Sequence, residues 1–239
     1  MIDLYTWPTP NGLQVHLMLE ECRLPYAVHA VDIAAGGQHT PEFLALSPNG
    51  TIPALLDSEG PDGKPIALFE SGAILLYLAG KTGRFLPRSV RGRYQMLQWL
   101  MFQMASFGPT LAQARHTGLS APDQSTCPID RDSREARRLV GAIDRELART
   151  GAFVAGRQYS IADMAIFPWL RSPANPGIDL DDFPQVRRWL DTLESRPAVR
   201  RAYSLLAEYR GPIADGVPVI RRSTAPPSRG AELRHPRAQ

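Results

Sequence analysis

The sequence predicts an α/β domain of the thioredoxin-like type followed by an all-helical domain. Over residues 1–82 the patterns of strand and helix run as βαβ and then ββα. After a short linker at 83–87 the strand patterns stop, and only helical periodicities follow over 88–210. A βαβ unit followed by a hairpin and a helix is the thioredoxin-like arrangement, and the change of pattern indicates two domains.

The elements of the first domain are short and are separated by turn-forming residues. Pro8 to Gly12 is rich in Pro and Gly and separates the first strand from the first helix, and a second such turn at 58–64 joins the last two strands. Strands are predicted at 2–7, 26–33, 52–56 and 66–69, and helices at 13–24, 41–46 and 70–80.

The second half of the chain shows helical spacing of apolar residues throughout. Helices are predicted at 94–104, 131–149, 160–170, 184–195 and 197–209. Residues 94–104 are rich in aromatic residues and methionine, which is more typical of a helix buried between domains or subunits than of a cofactor-lining stripe. The segment 211–239 is rich in Arg and Pro and poor in apolar residues, so we expect a mobile tail.

Composition and charge exclude several classes of protein. Hydrophobic residues make up 44% of the chain, which is enough for a buried core, and the formal net charge is only +3. The excess arginine is concentrated near the end of the chain, at Arg210, Arg221, Arg222, Arg229, Arg234 and Arg237. The folded body is therefore close to neutral, and a nucleic-acid partner is not expected because phosphate binding needs a coherent basic surface.

Cysteine use and apolar runs indicate the compartment. The two cysteines, Cys22 and Cys127, lie far apart without histidines at metal-binding spacing, so neither a disulfide framework nor a metal site is expected. No apolar run reaches the roughly 18 residues that span a bilayer, and the N-terminus lacks the pattern of a signal peptide. We expect a cytoplasmic protein with no membrane partner.

Three short motifs of the first domain carry possible chemistry. Ile52-Pro53 opens a strand where this fold uses a cis peptide bond; a trans proline at a strand start is the equally weighted alternative. Glu70-Ser71 opens a helix and offers a carboxylate for an ammonium group beside hydroxyl and N–H donors for an anion, although a simple helix cap has the same pattern.

The third motif contains Thr9 and Asn11, at the position where thioredoxin-like folds carry their reactive sulfur. No cysteine is present there. A hydroxyl, a side-chain amide and the N–H groups of a helix start cannot attack a substrate, but they can stabilise a thiolate that a ligand brings. The alternative is that either residue is only a helix N-cap. A fourth motif, Ser160 to Asp163, has capping-box spacing and is interpreted as structural.

The ordered set of these motifs resembles the cytosolic glutathione transferase family. Ile52-Pro53 before a hairpin, Glu70-Ser71 in the segment 69–74, and the segment 159–163 occur in this order in that family, and the resemblance covers residues 1–208. The start of the chain and the loop ending at Gln38 are most similar to the bacterial nu-class branch, whose members bind two glutathione molecules or glutathione disulfide and reduce disulfide bonds.

The resemblance implies a role for each matched residue. Thr9 and Asn11 would hydrogen-bond the glutathione sulfur, and Ile52 would pair with the cysteinyl backbone across cis-Pro53. The remaining implied contacts are Gln38 with the glycyl end, Glu70 and Ser71 with the γ-glutamyl head, and Arg131 with glutathione of the neighbouring subunit. The family is dimeric, and we expect the homodimer interface along 94–104. The second-substrate site is expected near 107–116 and 173–177.

Three functions therefore remain open at the level of sequence. The first is a glutathione-dependent disulfide-bond oxidoreductase without a protein cysteine nucleophile, acting on a small-molecule disulfide. The second is a transferase that conjugates glutathione to small electrophiles. The third is a non-catalytic, regulatory glutathione-binding protein. In each case glutathione or glutathione disulfide is the bound partner, and the sequence does not name the second substrate.

Overall fold

The computed structural model describes residues 1–120, 126–172, 178–207 and 220–222. Strands and helices alternate in the first part, as β1 (Ile2–Thr6), α1 (Pro10–Cys22), β2 (Tyr26–Ala30), α2 (Pro41–Leu44), β3 (Ala54–Asp57), β4 (Ile66–Phe69) and α3 (Ser71–Thr82). Helices follow, as α4 (Val90–Phe102), α5 (Gly108–Ser120), α6 (Thr126–Thr150), α7 (Ile161–Arg171), α8 (Pro184–Glu194) and α9 (Pro197–Ala207). The predicted fold class is confirmed.

The sheet brings three chain segments to one end. Strand β1 is central, parallel to β2 and antiparallel to β3, and β4 lies antiparallel beside β3. Ala54 faces Tyr5 on one side and Phe69 on the other. As a result, the residues that follow β1, precede β3 and follow β4 meet at the same end of the sheet.

A short strand that the sequence did not predict lies within the segment 211–239. Ile220–Arg222 forms β5, which pairs antiparallel with β2 at the edge of the sheet. The physical reason is that the outer edge of β2 presents backbone N–H and C=O groups that a further extended segment satisfies. The rest of 211–239 lies outside the described residues.

Helix α5 was not predicted. The predicted helix at 94–104 begins earlier, at Val90, and continues through a π-helical turn, Gln103–Phe107, directly into α5. Helix α5 has a weak apolar pattern, with Leu111 and Ala114 among its few buried side chains. Its proline, Pro109, comes just after the π-helical turn, and a proline within a helical segment argues against a helix in the sequence. Neither feature gives a strong periodic signal in the sequence.

Helix α1 is the element that both domains share. Every residue from Gly12 to Glu21 is buried, because α1 packs against α3 on one side and against α7 and α9 on the other. The Gln14 side-chain amide donates to the Ala165 carbonyl over 2.7 Å. Two ion pairs, Glu20 with Arg201 and Glu21 with Arg196, join the end of α1 to the α9 region. These polar contacts orient the helical domain on the first domain.

The capping box of α7 is present as predicted. Asp163 is fully buried and accepts hydrogen bonds from the backbone N–H groups of Val154 and Ser160, the Ser160 hydroxyl and the Trp189 indole. Each carboxylate oxygen accepts two hydrogen bonds, which explains why an Asp suits this position. Of the helices in the described ranges, none is long and apolar enough to cross a membrane.

Candidate active site at the end of the sheet

The N-terminus of α1 forms the floor of the candidate site. Thr9 is the N-cap, and its hydroxyl accepts a hydrogen bond from the Gly12 N–H over 3.3 Å. Asn11 lies in the first turn, where backbone N–H groups lack intrahelical acceptors. A Cβ at Gly12 would overlap with the Thr6 hydroxyl and the Trp7 carbonyl, so only glycine lets α1 begin this close to β1. Thr9 is therefore an N-cap, as the alternative interpretation had it.

A cis peptide bond joins Ile52 and Pro53, as this fold predicts. Pro53 is buried, whereas Ile52 is half-buried. Among the described residues, neither the N–H nor the C=O of Ile52 has a hydrogen-bond partner. The Ile52 backbone is thus free to pair with an extended peptide at this end of the sheet.

Glu70 connects β4 to α3 in an unusual backbone conformation. Its φ of 67° and ψ of 113° lie in a region that residues other than glycine rarely adopt. The turn leaves the Glu70 residue exposed and makes Ser71 the first residue of α3, where it is buried. The Ser71 hydroxyl lies 3.8 Å from the Met104 sulfur. Such outliers concentrate at ligand sites, and here the conformation holds a carboxylate beside a helix N-terminus.

A cavity of about 180 Å³ connects these elements to the helical domain. Asn11, Glu70 and Ser71 line it from the first domain, so three of the predicted site residues lie together. The remaining lining residues come from the helical domain and were not predicted individually: Gln103, Met104, Gly108, Pro109, Ala112 and Trp169. Three of those lie in the predicted second-substrate region 107–116; residues 173–177 lie outside the described residues. Contacts across a domain boundary leave no periodic signal in a sequence.

Gln38 does not line this cavity. It belongs to a 3₁₀ turn, Gly37–His39, and its side-chain nitrogen lies 3.2 Å from His39 Nε2. Its side-chain oxygen is buried and has no hydrogen-bond partner among the described residues. A Cβ at Gly50 would lie 3.4 Å from the Gln38 carbonyl, which places Gln38 next to the loop that leads into Ile52.

Arg131 does not reach the cavity within one copy of the chain. It is exposed, lies 3.6 Å from the Asp132 carboxylate, and lines a separate groove of about 590 Å³ between α5 and α6. Pro109 lines both the groove and the cavity, so the two spaces are neighbours. The predicted role of Arg131 depends on a neighbouring subunit and stays a prediction.

Two other candidates for sulfur chemistry are poorly placed. Cys22 lies at the opposite end of α1, roughly 16 Å from Asn11 at about 1.5 Å per residue. Burial raises the pKa of its thiol, and its sulfur lies 3.5 Å from the Thr82 hydroxyl. Tyr5 stacks on His29, and burial followed by the nearby Asp3 raises the pKa of its phenol. Within the part of the chain that the structure describes, no group of three or more His, Cys, Asp or Glu could hold a metal ion.

Family models for both halves of glutathione S-transferases match this chain. The model for the N-terminal domain matches residues 9–81, and the model for the C-terminal domain matches residues 107–197. The disulfide-bond oxidoreductase YfcG of Escherichia coli is 45% identical over 203 residues, covering 84% of this chain and 94% of that protein. The disulfide-bond oxidoreductase YghU of the same organism is 38% identical, covering 84% and 73%.

Solved structures of similar proteins hold glutathione. A glutathione transferase from Burkholderia graminis with two glutathione molecules bound per subunit has a TM-score of 0.82 and 45% identity, covering 88% of this chain and 89% of that one. One from Pseudomonas putida, with one glutathione disulfide bound per subunit, has a TM-score of 0.78 and 45% identity, covering 84% and 90%.

Proposed function

Because this chain belongs to the glutathione S-transferase family, we propose that it is a glutathione-dependent disulfide-bond oxidoreductase. The observation that carries this proposal is the cavity in which Asn11 and the N-terminus of α1 lie with Glu70 and Ser71. The site offers donors for a sulfur anion at the position where thioredoxin-like folds carry a cysteine, and it offers a separate set of groups for an amino-acid head.

The groups present suit glutathione in chemical type. The γ-glutamyl head carries an ammonium and a carboxylate on one carbon. Glu70 is a partner for the ammonium, and Ser71 with the N–H groups of α3 is a partner for the carboxylate. The unpaired backbone of Ile52 before cis-Pro53 is a partner for the cysteinyl residue. Gln38, beside the loop that leads to Ile52, is the proposed contact for the glycyl end.

The proposed reaction is thiol–disulfide exchange that uses the thiol of glutathione. The glutathione thiolate attacks one sulfur of a disulfide R–S–S–R′, the S–S bond breaks, and R′–S⁻ leaves with the electron pair. A second glutathione attacks the mixed disulfide to give glutathione disulfide and R–S⁻. Thr9, Asn11 and the positive end of α1 stabilise the thiolate, which lowers the pKa of the thiol and makes it a better nucleophile or leaving group.

The assembly that we propose is a homodimer joined along α4. Val90, Tyr94 and Met101 are exposed apolar residues at 71%, 68% and 48%, and their spacing places them on one face of α4. Large apolar side chains that cluster on one exposed helix face favour an interface. Arg131 of one copy is proposed to reach glutathione bound to the other. Low cysteine use supports a cytoplasmic location, where thiols stay reduced.

The test compares disulfide reduction with conjugation in the same preparation. The wild-type protein is assayed with glutathione and hydroxyethyl disulfide, and separately with glutathione and chloro-dinitrobenzene. Asn11→Ala is expected to lower the disulfide rate on the order of a hundredfold, as removal of one anion-stabilising donor does elsewhere. Thr9→Ser, which keeps the hydroxyl and the N-cap, is the matched conservative variant and should retain most of the rate.

Two results would replace the proposal. A conjugation rate that dominates the disulfide rate would make the protein a conjugating transferase acting at the same site. Tight glutathione binding with background turnover in both assays would make it a glutathione-binding protein without catalysis.

A further inference from the structure

Gln103 is a buried polar residue in the wall of the candidate site. It lines the cavity of Asn11, Glu70 and Ser71, and only 1% of its surface is exposed. Its side-chain oxygen has no hydrogen-bond partner among the described residues. Buried side-chain polar atoms are normally paired, and because Gln103 lines a cavity, a molecule bound there can supply the donor that its oxygen lacks.

The backbone around Gln103 fixes its side chain at the cavity wall. Gln103 begins the π-helical turn, and its carbonyl accepts from the N–H of Gly108, the first residue of α5. A Cβ at Gly108 would lie 2.7 Å from the Gln103 side-chain nitrogen, so the carboxamide packs against the glycine. Gly108 lines the same cavity. The π-turn and the close approach of Gly108 together hold the Gln103 carboxamide at the cavity wall. Turns of this kind are frequent at functional sites.

The cavity has more groups that can bind the carboxylate of an amino-acid head than groups that can bind its ammonium. For a carboxylate it has the Ser71 hydroxyl, the N–H groups at the start of α3 and the positive end of that helix. For an ammonium, which has three N–H donors, the first domain supplies the Glu70 carboxylate. An amide oxygen in the same cavity is the acceptor that complements this carboxylate.

We propose that Gln103 is a specificity-determining residue that accepts a hydrogen bond from the α-ammonium group of the γ-glutamyl head. The inference rests on the proposed binding of glutathione in this cavity. In this arrangement the first domain contacts the α-ammonium group through Glu70, and the helical domain contacts the same group through Gln103.

The test measures discrimination between two ligands by calorimetry on the full chain. The ligands are reduced glutathione and glutaryl-cysteinyl-glycine, which lacks only the α-amino group.

Gln103→Met keeps a side chain of similar length without the amide. It should weaken glutathione binding on the order of tenfold while changing binding of the analogue less than about twofold. Gln103→Glu keeps an acceptor and should retain the discrimination of the wild type. Gln158→Met, at an exposed glutamine outside both the cavity and the groove, is the matched control and should change neither ligand.

The outcomes separate this inference from the proposed function. If the wild type binds glutathione and Gln103→Met weakens both ligands equally, Gln103 only supports the cavity wall and the inference is wrong, although the proposed function stands. The same holds if Gln103→Met binds both ligands as the wild type does. A third ligand, γ-aminobutyryl-cysteinyl-glycine, lacks the α-carboxylate; if its binding alone is insensitive to Gln103→Met, the amide serves the carboxylate and the inference fails. A wild type that binds no glutathione overturns both.

Discussion

His16 makes the protein sensitive to acid in a way that can be measured. It lies on α1, is completely buried, and its Nδ1 is 3.2 Å from the Tyr26 hydroxyl. That hydroxyl donates to Glu20, so it accepts a hydrogen bond from the Nδ1–H of a neutral imidazole. Nε2 has no partner among the described residues, and a proton there would be buried and unpaired. Burial lowers the pKa of His16 to about 3.

The sign and size of the effect follow from linkage. In the unfolded chain His16 has the usual pKa of 6.5. Below that pH the unfolded state therefore binds a proton at His16, whereas His16 of the folded state stays neutral. The free energy of unfolding therefore falls as the pH drops from about 6.5 towards 3. Between pH 7.5 and pH 5 the loss from His16 is about 2 kcal/mol, since each pH unit below 6.5 removes about 1.4 kcal/mol.

The assay is urea unfolding at pH 7.5 and pH 5 at one protein concentration, for wild type, His16→Asn and His116→Asn. His16→Asn removes the titrating group and keeps an N–H donor. Lowering the pH from 7.5 to 5 should therefore cost this variant about 2 kcal/mol less unfolding free energy than it costs the wild type. His116 is exposed on α5, and its variant should behave as the wild type does.

Other titrating groups cancel in this comparison because all three proteins carry them. Asp163 acts with the opposite sign: burial raises its pKa to about 6, so the folded state binds the proton more tightly and gains stability as the pH falls through this range. An equal pH dependence of wild type and His16→Asn would refute the description of His16 as a buried neutral group.

Three further predictions concern the site, the core and the assembly. Gly12→Ala should lower the unfolding free energy by about 1–3 kcal/mol and reduce disulfide turnover, because its Cβ overlaps with Thr6 and the Trp7 carbonyl; thermal unfolding checks this, and an unchanged melting temperature contradicts it. Asp163→Asn replaces an oxygen that accepts two hydrogen bonds with an NH₂ group, so about 2–4 kcal/mol should be lost in urea unfolding; a loss within error would mean that the network is dispensable. Tyr94→Glu places a charge on the exposed apolar face of α4 and should yield monomers in sedimentation velocity, and a dimer of unchanged affinity would place the interface elsewhere.

The sequence predicts the parts of the site that depend on contiguous residues. Ile52-Pro53 and Glu70-Ser71 are short segments in which backbone conformation and chemistry are coupled, so their types and spacing carry the information. The structure places both at the same end of the sheet, with a cis bond at Pro53 and a positive φ at Glu70. The alternation of βαβ and ββα segments was sufficient for the fold class because each element follows its own periodicity.

The helical wall of the site depends on packing between domains and could not be predicted in this way. Gln103 lies in an otherwise apolar segment, and only the π-turn and the close approach of Gly108 bring it to the cavity. Trp169 lies 66 positions further along the chain and lines the same cavity. Strand β5 was missed for a related reason: three residues adopt a strand because the edge of β2 is available to them.

The central claim is that the thiol of bound glutathione, and no cysteine of the protein, carries out the exchange. The most direct measurement is the glutathione-dependent reduction of hydroxyethyl disulfide by the variant that combines Cys22→Ser and Cys127→Ser, beside Asn11→Ala. The account predicts that the cysteine-free protein keeps a rate close to that of the wild type, while Asn11→Ala loses most of it. A cysteine-free protein without activity, with its fold and glutathione binding intact, would contradict the claim.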